Sequence, residues 1–181
     1  EVPYLTKYYN NTVVGYSYSK SLSLPGERIG YLVIPDEADG SEELISAATI
    51  ANRTLGCVNA PSLIQKVVAK CVDAKTDLAA YDKNRQALYD GLKECGFECI
   101  KPQGAFYLFP KCNSYFGKSN GEKTINNSTD FAMYLLEEAH VATVGGDAFG
   151  DPDCFRMSYA TSDENIVEAI KRIKEALGKL K

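Results

Sequence analysis

The chain has 181 residues, of which 45% are hydrophobic and 24% are charged, and its net charge is −4 with a pI near 5.1. This composition is typical of a globular protein of one domain or slightly more. The negative balance provides no basic surface for nucleic acid or an anionic membrane, so we expect neither as a partner. We find no apolar run of membrane-spanning length and no secretory signal pattern, and we expect a cytoplasmic location.

The cysteines do not indicate a metal centre. Six cysteines are spread along the chain without a Cys-x-x-Cys pair, and His140 is the single histidine. A structural zinc site needs about four such ligands at close spacing. We therefore expect free thiols and no bound metal.

The first half of the chain alternates between predicted strands and helices. Two runs rich in β-branched and aromatic residues flank a loop that contains Lys20. The triplet Asn59-Ala60-Pro61 separates two helical segments, and apolar residues at spacings of three and four then predict a longer helix that ends at Gly96. We expect strands over residues 12–19 and 29–34 and helices over residues 41–55, 62–71 and 78–96.

The second half is predicted to form a smaller sheet with helices. Residues 113–128 are rich in Gly, Asn, Ser and Lys, which favours a mobile surface loop. Thr129 and Asp130 are expected to cap one helix, and the capping box Thr161-x-x-Glu164 is expected to start a last helix that ends near Leu177. The predicted strands cover residues 97–100, 105–109, 141–144 and 155–159, and the first of these helices covers residues 129–139.

The segment around Lys20 combines groups that can hold a phosphorylated aldehyde. A lysine amine is a nucleophile that can bind an aldehyde covalently. Ser17 and Ser19 can donate hydroxyl hydrogen bonds to a phosphate, and Arg28 can contact it with two N–H groups. A single lysine in a serine-rich loop is usually a solvated surface residue. The fixed spacing of these four residues favours the binding site over that interpretation.

A second candidate is Arg156, which stands between Phe155 and Met157 in a predicted strand. An arginine held near a core needs an anion, and a substrate α-carboxylate would suit it. The alternative is an arginine that points to solvent from an alternating strand. The residues alone leave both interpretations open.

Two motifs resemble those of class I and II aminotransferases. Ser17-x-Ser19-Lys20 followed by Gly26-x-Arg28-x-Gly30-Tyr31 resembles their pyridoxal-phosphate lysine motif, and residues 154–160 resemble their carboxylate-binding strand. The resemblance implies that Lys20 is the catalytic lysine and that Arg156 binds the substrate carboxylate. The cofactor pyridoxal phosphate would be bound by Ser17, Ser19, Lys20 and Arg28.

Two further stretches resemble the same family. Residues 104–110 are similar to its Gly-x-Phe-Tyr strand, in which we expect Phe106 and Tyr107 to pack rather than to contact substrate. Residues 144–150 are similar to its Pro-Gly-x-x-Phe-Gly loop, but Gly145 stands where proline is usual. We expect this glycine to loosen the loop.

The resemblance also implies the fold class. We expect an α/β fold, the C-terminal part of a fold-type-I transferase, with the end of the large cofactor domain in residues 1–75 and a linking helix and small α+β domain in residues 76–181. The family's aspartate for the pyridinium nitrogen lies upstream of the lysine, and only nineteen residues precede Lys20. We therefore expect the C-terminal portion of a longer enzyme, with little or no activity by itself.

The implied function is transfer of an amino group between an amino acid and a 2-keto acid, as part of amino-acid metabolism. Family enzymes are generally dimers, so we expect a homodimer of the full-length form. Two alternatives remain open. One is a lyase or decarboxylase on the same scaffold, and the other is an aminotransferase-like ligand-sensing domain of a transcription regulator.

Overall fold

The computed structural model describes residues 3–181 and divides the chain into two compact units. The N-terminal unit ends at Thr76, and the C-terminal unit runs from Asp77 to Lys181. Their assignment to a large cofactor domain and a small domain stays a prediction. Among residues 3–181, no helix is both long enough and apolar enough to cross a membrane.

The N-terminal unit contains an antiparallel hairpin followed by two helices. Its strands pair with Ser17 opposite Gly30, which confirms the two strands expected here. The predicted lysine loop begins instead as one helical turn, because the Ser17 hydroxyl oxygen accepts a hydrogen bond from the Ser19 backbone N–H at 3.2 Å. The elements are β1 (Val14–Ser17), α1 (Tyr18–Ser21), β2 (Gly30–Val33), α2 (Ser41–Thr54) and α3 (Ser62–Cys71).

Few apolar side chains of the N-terminal unit are buried. In the described structure, α2 buries none of its residues and α3 buries only Val68. The strand β2 exposes Tyr31, Leu32 and Val33 at successive positions, so apolar groups lie exposed on both of its faces. Apolar burial therefore stabilises this unit much less than it stabilises the C-terminal unit.

The C-terminal unit packs three helices with a three-stranded antiparallel sheet. The strand order is β3-β5-β4, with Leu108 opposite Met157 and Val144 opposite Arg156. Arg156 therefore lies in the central strand. The elements are α4 (Leu78–Glu94), β3 (Tyr107–Leu108), α5 (Ser128–Ala139), β4 (Val144–Gly145), β5 (Phe155–Ser158) and α6 (Asp163–Leu177).

The main hydrophobic core lies between these helices and the sheet. Helices α4 and α6 approach so closely that a methyl group on Gly91 would lie 2.3 Å from the Ile170 side chain. The apolar periodicity predicted for α4 is confirmed at Tyr81, Leu88 and Leu92, which pack in this core, whereas Leu78 at the start of the helix is exposed. Its fully buried side chains include Leu88, Leu92, Leu108, Phe131, Tyr134, Leu135, Phe155 and Ile173.

The strand predicted over residues 97–100 is wrong. Phe97 is 2% exposed, and its ring packs 6.0 Å from Phe131 and 5.3 Å from Phe155 between ring centroids. The burial of Phe97 thus explains why this short run is apolar. In so short a run, periodicity cannot distinguish a strand from another buried segment.

The connection over residues 113–128 is tied to the core rather than loosely attached. Ile125 is buried, and its backbone N–H donates to the Lys118 carbonyl at 2.9 Å. Ser119 and Lys181 exchange two backbone hydrogen bonds at 3.1 and 3.0 Å. These contacts contradict the expected mobile loop. The polar composition of the segment predicted exposure, but the segment contains one buried isoleucine.

Two helix caps also differ from the prediction. Asn127 caps α5 by accepting a hydrogen bond from the Asp130 N–H at 2.8 Å. Ser162 caps α6 by accepting one from the Asn165 N–H at 3.3 Å. Adjacent residues able to cap compete at both sites, so the sequence fixes the helix start only within one or two positions.

Candidate functional site

Lys20 lies in the helical turn α1, directly after β1, with its side chain exposed. The turn forms here because Ser17 is extended and caps it, while Tyr18 anchors it by donating its backbone N–H to the Ile29 carbonyl at 3.2 Å. The cap at Ser17 and the hydrogen bond to Ile29, the residue before β2, therefore hold the lysine turn at one end of the hairpin.

Two serine hydroxyls accompany this lysine. The Ser17 hydroxyl donates to the Ser19 hydroxyl oxygen at 2.9 Å while it accepts from the Ser19 backbone N–H. The Ser19 hydroxyl hydrogen remains available for an anion, because the Ser19 oxygen acts only as an acceptor in this contact. The two serines thus form a connected pair of polar groups beside the lysine.

Arg28 ends the connection between the hairpin strands. It follows a 3-10 turn over Pro25–Glu27 and adopts a left-handed backbone conformation with φ of 52°. Its Nη1 donates to the Pro25 carbonyl oxygen at 2.8 Å. Left-handed backbone costs an ordinary residue roughly 1–2 kcal/mol, and such cost is often found at functional sites. The arginine is thus held at the same end of the hairpin as α1.

Three tyrosine rings pack beside the lysine turn. The Tyr16 and Tyr31 rings are stacked with centroids 5.1 Å apart, and the Tyr18 ring lies 5.4 Å from Tyr16 and 5.7 Å from Tyr31. Such aromatic pairs contribute about 0.5–1.5 kcal/mol beyond the area that they bury. The tyrosines therefore hold β1, α1 and β2 together where the unit has little buried core.

This donor set fits a phosphorylated aldehyde. It offers a lysine amine for the aldehyde, a hydroxyl pair for phosphate oxygens, and a guanidinium that can contact the same anion with two N–H groups. Ser17, Ser19, Lys20 and Arg28 all belong to the N-terminal unit, whereas Arg156 belongs to the C-terminal unit.

Arg156 is half-buried in β5 and touches two aromatic rings. Its Cζ lies 3.9 Å from the Phe149 ring centroid and 4.3 Å from the Tyr107 ring centroid. Within residues 3–181, no carboxylate lies within 4.0 Å of its guanidinium nitrogens. A half-buried cation without a protein carboxylate is suited to bind an external one.

The sequence did not indicate the role of these two rings. The sequence predicts only a packing role for Tyr107, and it places Phe149 only in a loop. Both approach Arg156 because β3 and β4 flank β5, an order that the local sequence does not contain. The one signal in the sequence is the alternation of Phe155, Arg156 and Met157. Because successive residues of a strand point to opposite faces, Arg156 lies on the face opposite the two buried residues.

Gly145, the last residue of β4, is restricted by space and not by its backbone angles, since a methyl group there would lie 2.7 Å from Asp147 Oδ1 and 3.0 Å from the Thr129 backbone nitrogen. Gly145 has φ of −59° and ψ of 144°, which are angles that proline readily adopts. The next residue is more constrained, since a methyl group on Gly146 would lie 2.2 Å from the Asp151 carbonyl oxygen. The backbone conformation thus gives no support to the expected loosening at Gly145.

Comparison with known proteins identifies the family. The model of the family described as "Aminotransferase class I and II" matches residues 2–173. The "Probable aspartate/prephenate aminotransferase" of Rickettsia felis is 44% identical over 169 residues, which cover 90% of this chain and 40% of that protein. The aspartate aminotransferase of Rhizobium meliloti is 37% identical over 179 residues, covering 94% of this chain and 42% of that protein.

Solved structures agree with this assignment. An aminotransferase from Eubacterium rectale has a TM-score of 0.81 and 45% identity, covering 99% of this chain and 42% of that one. The Rhizobium meliloti enzyme has a TM-score of 0.76 and 35% identity, covering 93% and 42%. These matches confirm the expected fold class, the C-terminal α/β part of a fold-type-I transferase, and the chain spans about 40% of its relatives' length. The chain belongs to the class I and II aminotransferase family.

Proposed function

We propose that the protein carrying this chain is an aminotransferase that moves an amino group between an amino acid and a 2-keto acid. The observation that carries the proposal is the lysine turn, in which Lys20 follows a serine pair and shares one end of a hairpin with Arg28. Enzymes of this family depend on pyridoxal phosphate, which withdraws electrons from the bound amino acid.

The proposed residue roles follow from the contacts. Lys20 would hold the cofactor through its side-chain amine, and the same amine would move a proton at the substrate α-carbon. The Ser19 hydroxyl and the Arg28 guanidinium bind the cofactor phosphate, and Ser17 orients Ser19 through the 2.9 Å hydrogen bond. These groups bind and orient, while the cofactor supplies the electron sink.

Arg156 is proposed to bind the substrate α-carboxylate. Its charge has no carboxylate partner among residues 3–181, and its half-buried position lowers competition from water. A guanidinium binds a carboxylate through two parallel N–H hydrogen bonds, which fix the direction of the substrate.

We further propose a cytoplasmic homodimer that acts in amino-acid metabolism. The relatives are named for aspartate and prephenate, so L-aspartate is the first amino donor to test. The 181 residues alone are expected to show little or no activity, because the family's upstream aspartate for the pyridinium nitrogen has no counterpart among them.

The test uses the complete natural protein that carries this sequence. Borohydride reduction of the cofactor-loaded protein should add the cofactor mass to the peptide that contains Lys20, and Lys20→Ala should abolish that adduct. Conversion of L-aspartate and 2-oxoglutarate to oxaloacetate and glutamate supports transfer. An adduct on another lysine, or release of ammonia without transfer, would contradict the proposal.

A further inference from the structure

We propose that Tyr107 and Phe149 form an aromatic cradle that positions Arg156 and makes its site selective for planar carboxylates over tetrahedral anions. The inference rests on the proposed function, since it assumes that Arg156 binds the substrate carboxylate. Neither ring is expected to touch the reacting atoms, so both are positioning residues.

The two rings reach Arg156 from opposite neighbours of its strand. Tyr107 belongs to β3, and Phe149 ends the 3-10 turn Gly146–Phe149 that follows β4. Because β5 lies between β3 and β4, the guanidinium receives one ring from each side of the strand. The distances of 3.9 and 4.3 Å to the ring centroids place both rings in direct contact with Cζ.

Phe149 has features of a contact residue rather than a core residue. Its side chain is 44% exposed, whereas Phe155 in the adjacent strand is fully buried. An exposed phenylalanine contributes little through burial, yet this one lies closer to the guanidinium than Tyr107 does. Its ring also packs edge-on against Phe109, with centroids 6.3 Å apart.

The Tyr107 ring also packs against a second aromatic ring. Its ring lies 4.5 Å from the Phe106 ring, and Phe106 packs against the main core. A second aromatic side chain therefore backs each ring of the cradle, which limits the rotamers open to the rings and to the arginine between them. An arginine fixed before binding loses less conformational entropy when it meets its ligand.

The shape of the cradle favours one class of anion. Rings stacked on a guanidinium occupy the space above and below its plane and leave the in-plane N–H groups free. A carboxylate is planar and meets two of those N–H groups in their own plane. A phosphonate carries three oxygens in a tetrahedral arrangement, so at least one oxygen must leave that plane and approach a ring.

The experiment compares two ligands on the cofactor-loaded complete protein. L-Alanine and its phosphonate analogue, 1-aminoethylphosphonate, are titrated by the cofactor absorbance to obtain dissociation constants. Phe149→Leu and Tyr107→Leu should each weaken L-alanine about fivefold to thirtyfold and the phosphonate less than about twofold. Tyr107→Phe, which keeps the ring, should restore the affinity for L-alanine, and kcat with L-aspartate should change much less than KM.

Tyr89→Leu is the matched control, since Tyr89 also lies under a cation, with Lys101 Nζ 5.9 Å from its ring centroid, but on α4. It should leave the affinity ratio of the two ligands unchanged. Equal weakening of both ligands in the cradle variants, or no weakening of either, would overturn the cradle. Unchanged L-alanine affinity in Arg156→Gln would instead overturn the proposed function, so the two failures are distinguishable.

Discussion

A methyl group built on Gly30 would lie 2.3 Å from the backbone carbonyl oxygen of Tyr16. The two residues are diagonal neighbours across the hairpin, where Tyr16 pairs with Tyr31 and Ser17 pairs with Gly30. The strands at the lysine turn are therefore separated by a distance that only glycine permits at this position.

Substitution of Gly30 by alanine should separate the strands at this point. We expect Gly30→Ala to lower the free energy of unfolding by about 1–3 kcal/mol and to weaken cofactor binding, because Ser17 and Lys20 move with β1. Urea denaturation and cofactor titration of the complete protein measure the two effects. Gly26→Ala is the control, since nothing lies within 4 Å of its added methyl group; equal effects of both substitutions would contradict this explanation.

Arg28 offers a test that separates backbone strain from anion binding. Arg28→Gly relieves the left-handed conformation, so the free energy of unfolding should stay the same or rise by about 1 kcal/mol. The same change removes the guanidinium, so cofactor affinity should fall at least about tenfold. Arg28→Lys should retain part of the affinity, and a cofactor affinity unaffected by Arg28→Gly would exclude the residue from the site.

Gly146 should tolerate no side chain. Its added methyl group would meet the carbonyl oxygens of Asp151 and Cys154 at 2.2 and 2.4 Å, and both are backbone atoms that cannot rotate away. We expect Gly146→Ala to destabilise the C-terminal unit by about 1–3 kcal/mol and to disturb Arg156 binding through Phe149. Gly104→Ala, which has open space around it, should change neither the unfolding midpoint nor substrate KM.

Two buried thiols predict how stability depends on pH. Burial raises the pKa of Cys112 to about 12 from the ordinary 9.0. Burial, with the hydrogen bond to Asp151, raises that of Cys154 to about 12 as well. The unfolded chain loses these protons first as pH rises, so their contribution is complete below pH about 9 and is lost between about 9 and 12.

The urea midpoint should therefore fall between pH 9 and 11, and the fall should be shallower in Cys112→Ala. Cys57→Ala serves as the control, because Cys57 is exposed. The two buried thiols should also resist iodoacetamide at pH 8 while Cys57 reacts. Rapid alkylation of Cys112 in the folded protein, or an identical pH dependence in Cys112→Ala, would count against the prediction.

The parts of the fold that the sequence predicted well are local, since the helices follow from apolar periodicity over several turns. Lys20, its serines and Arg28 lie within one short segment, and their spacing is what predicts a phosphate site there. The aromatic cradle was missed because Tyr107 meets Arg156 only through the strand order β3-β5-β4. At Phe97 the sequence predicts a structure that is not formed. Its apolar side chain suggested a strand, but it is buried without its backbone forming one.

The apolar residues exposed on β2 affect how the 181-residue chain will behave in solution. Tyr31, Leu32 and Val33 are all exposed on β2, and its sheet has two strands among residues 3–181, so its edges can pair with other molecules. Such strands promote aggregation when no neighbouring segment covers them. Recombinant chain should accordingly self-associate as its concentration rises, and Leu32→Lys should increase the concentration at which it stays monomeric.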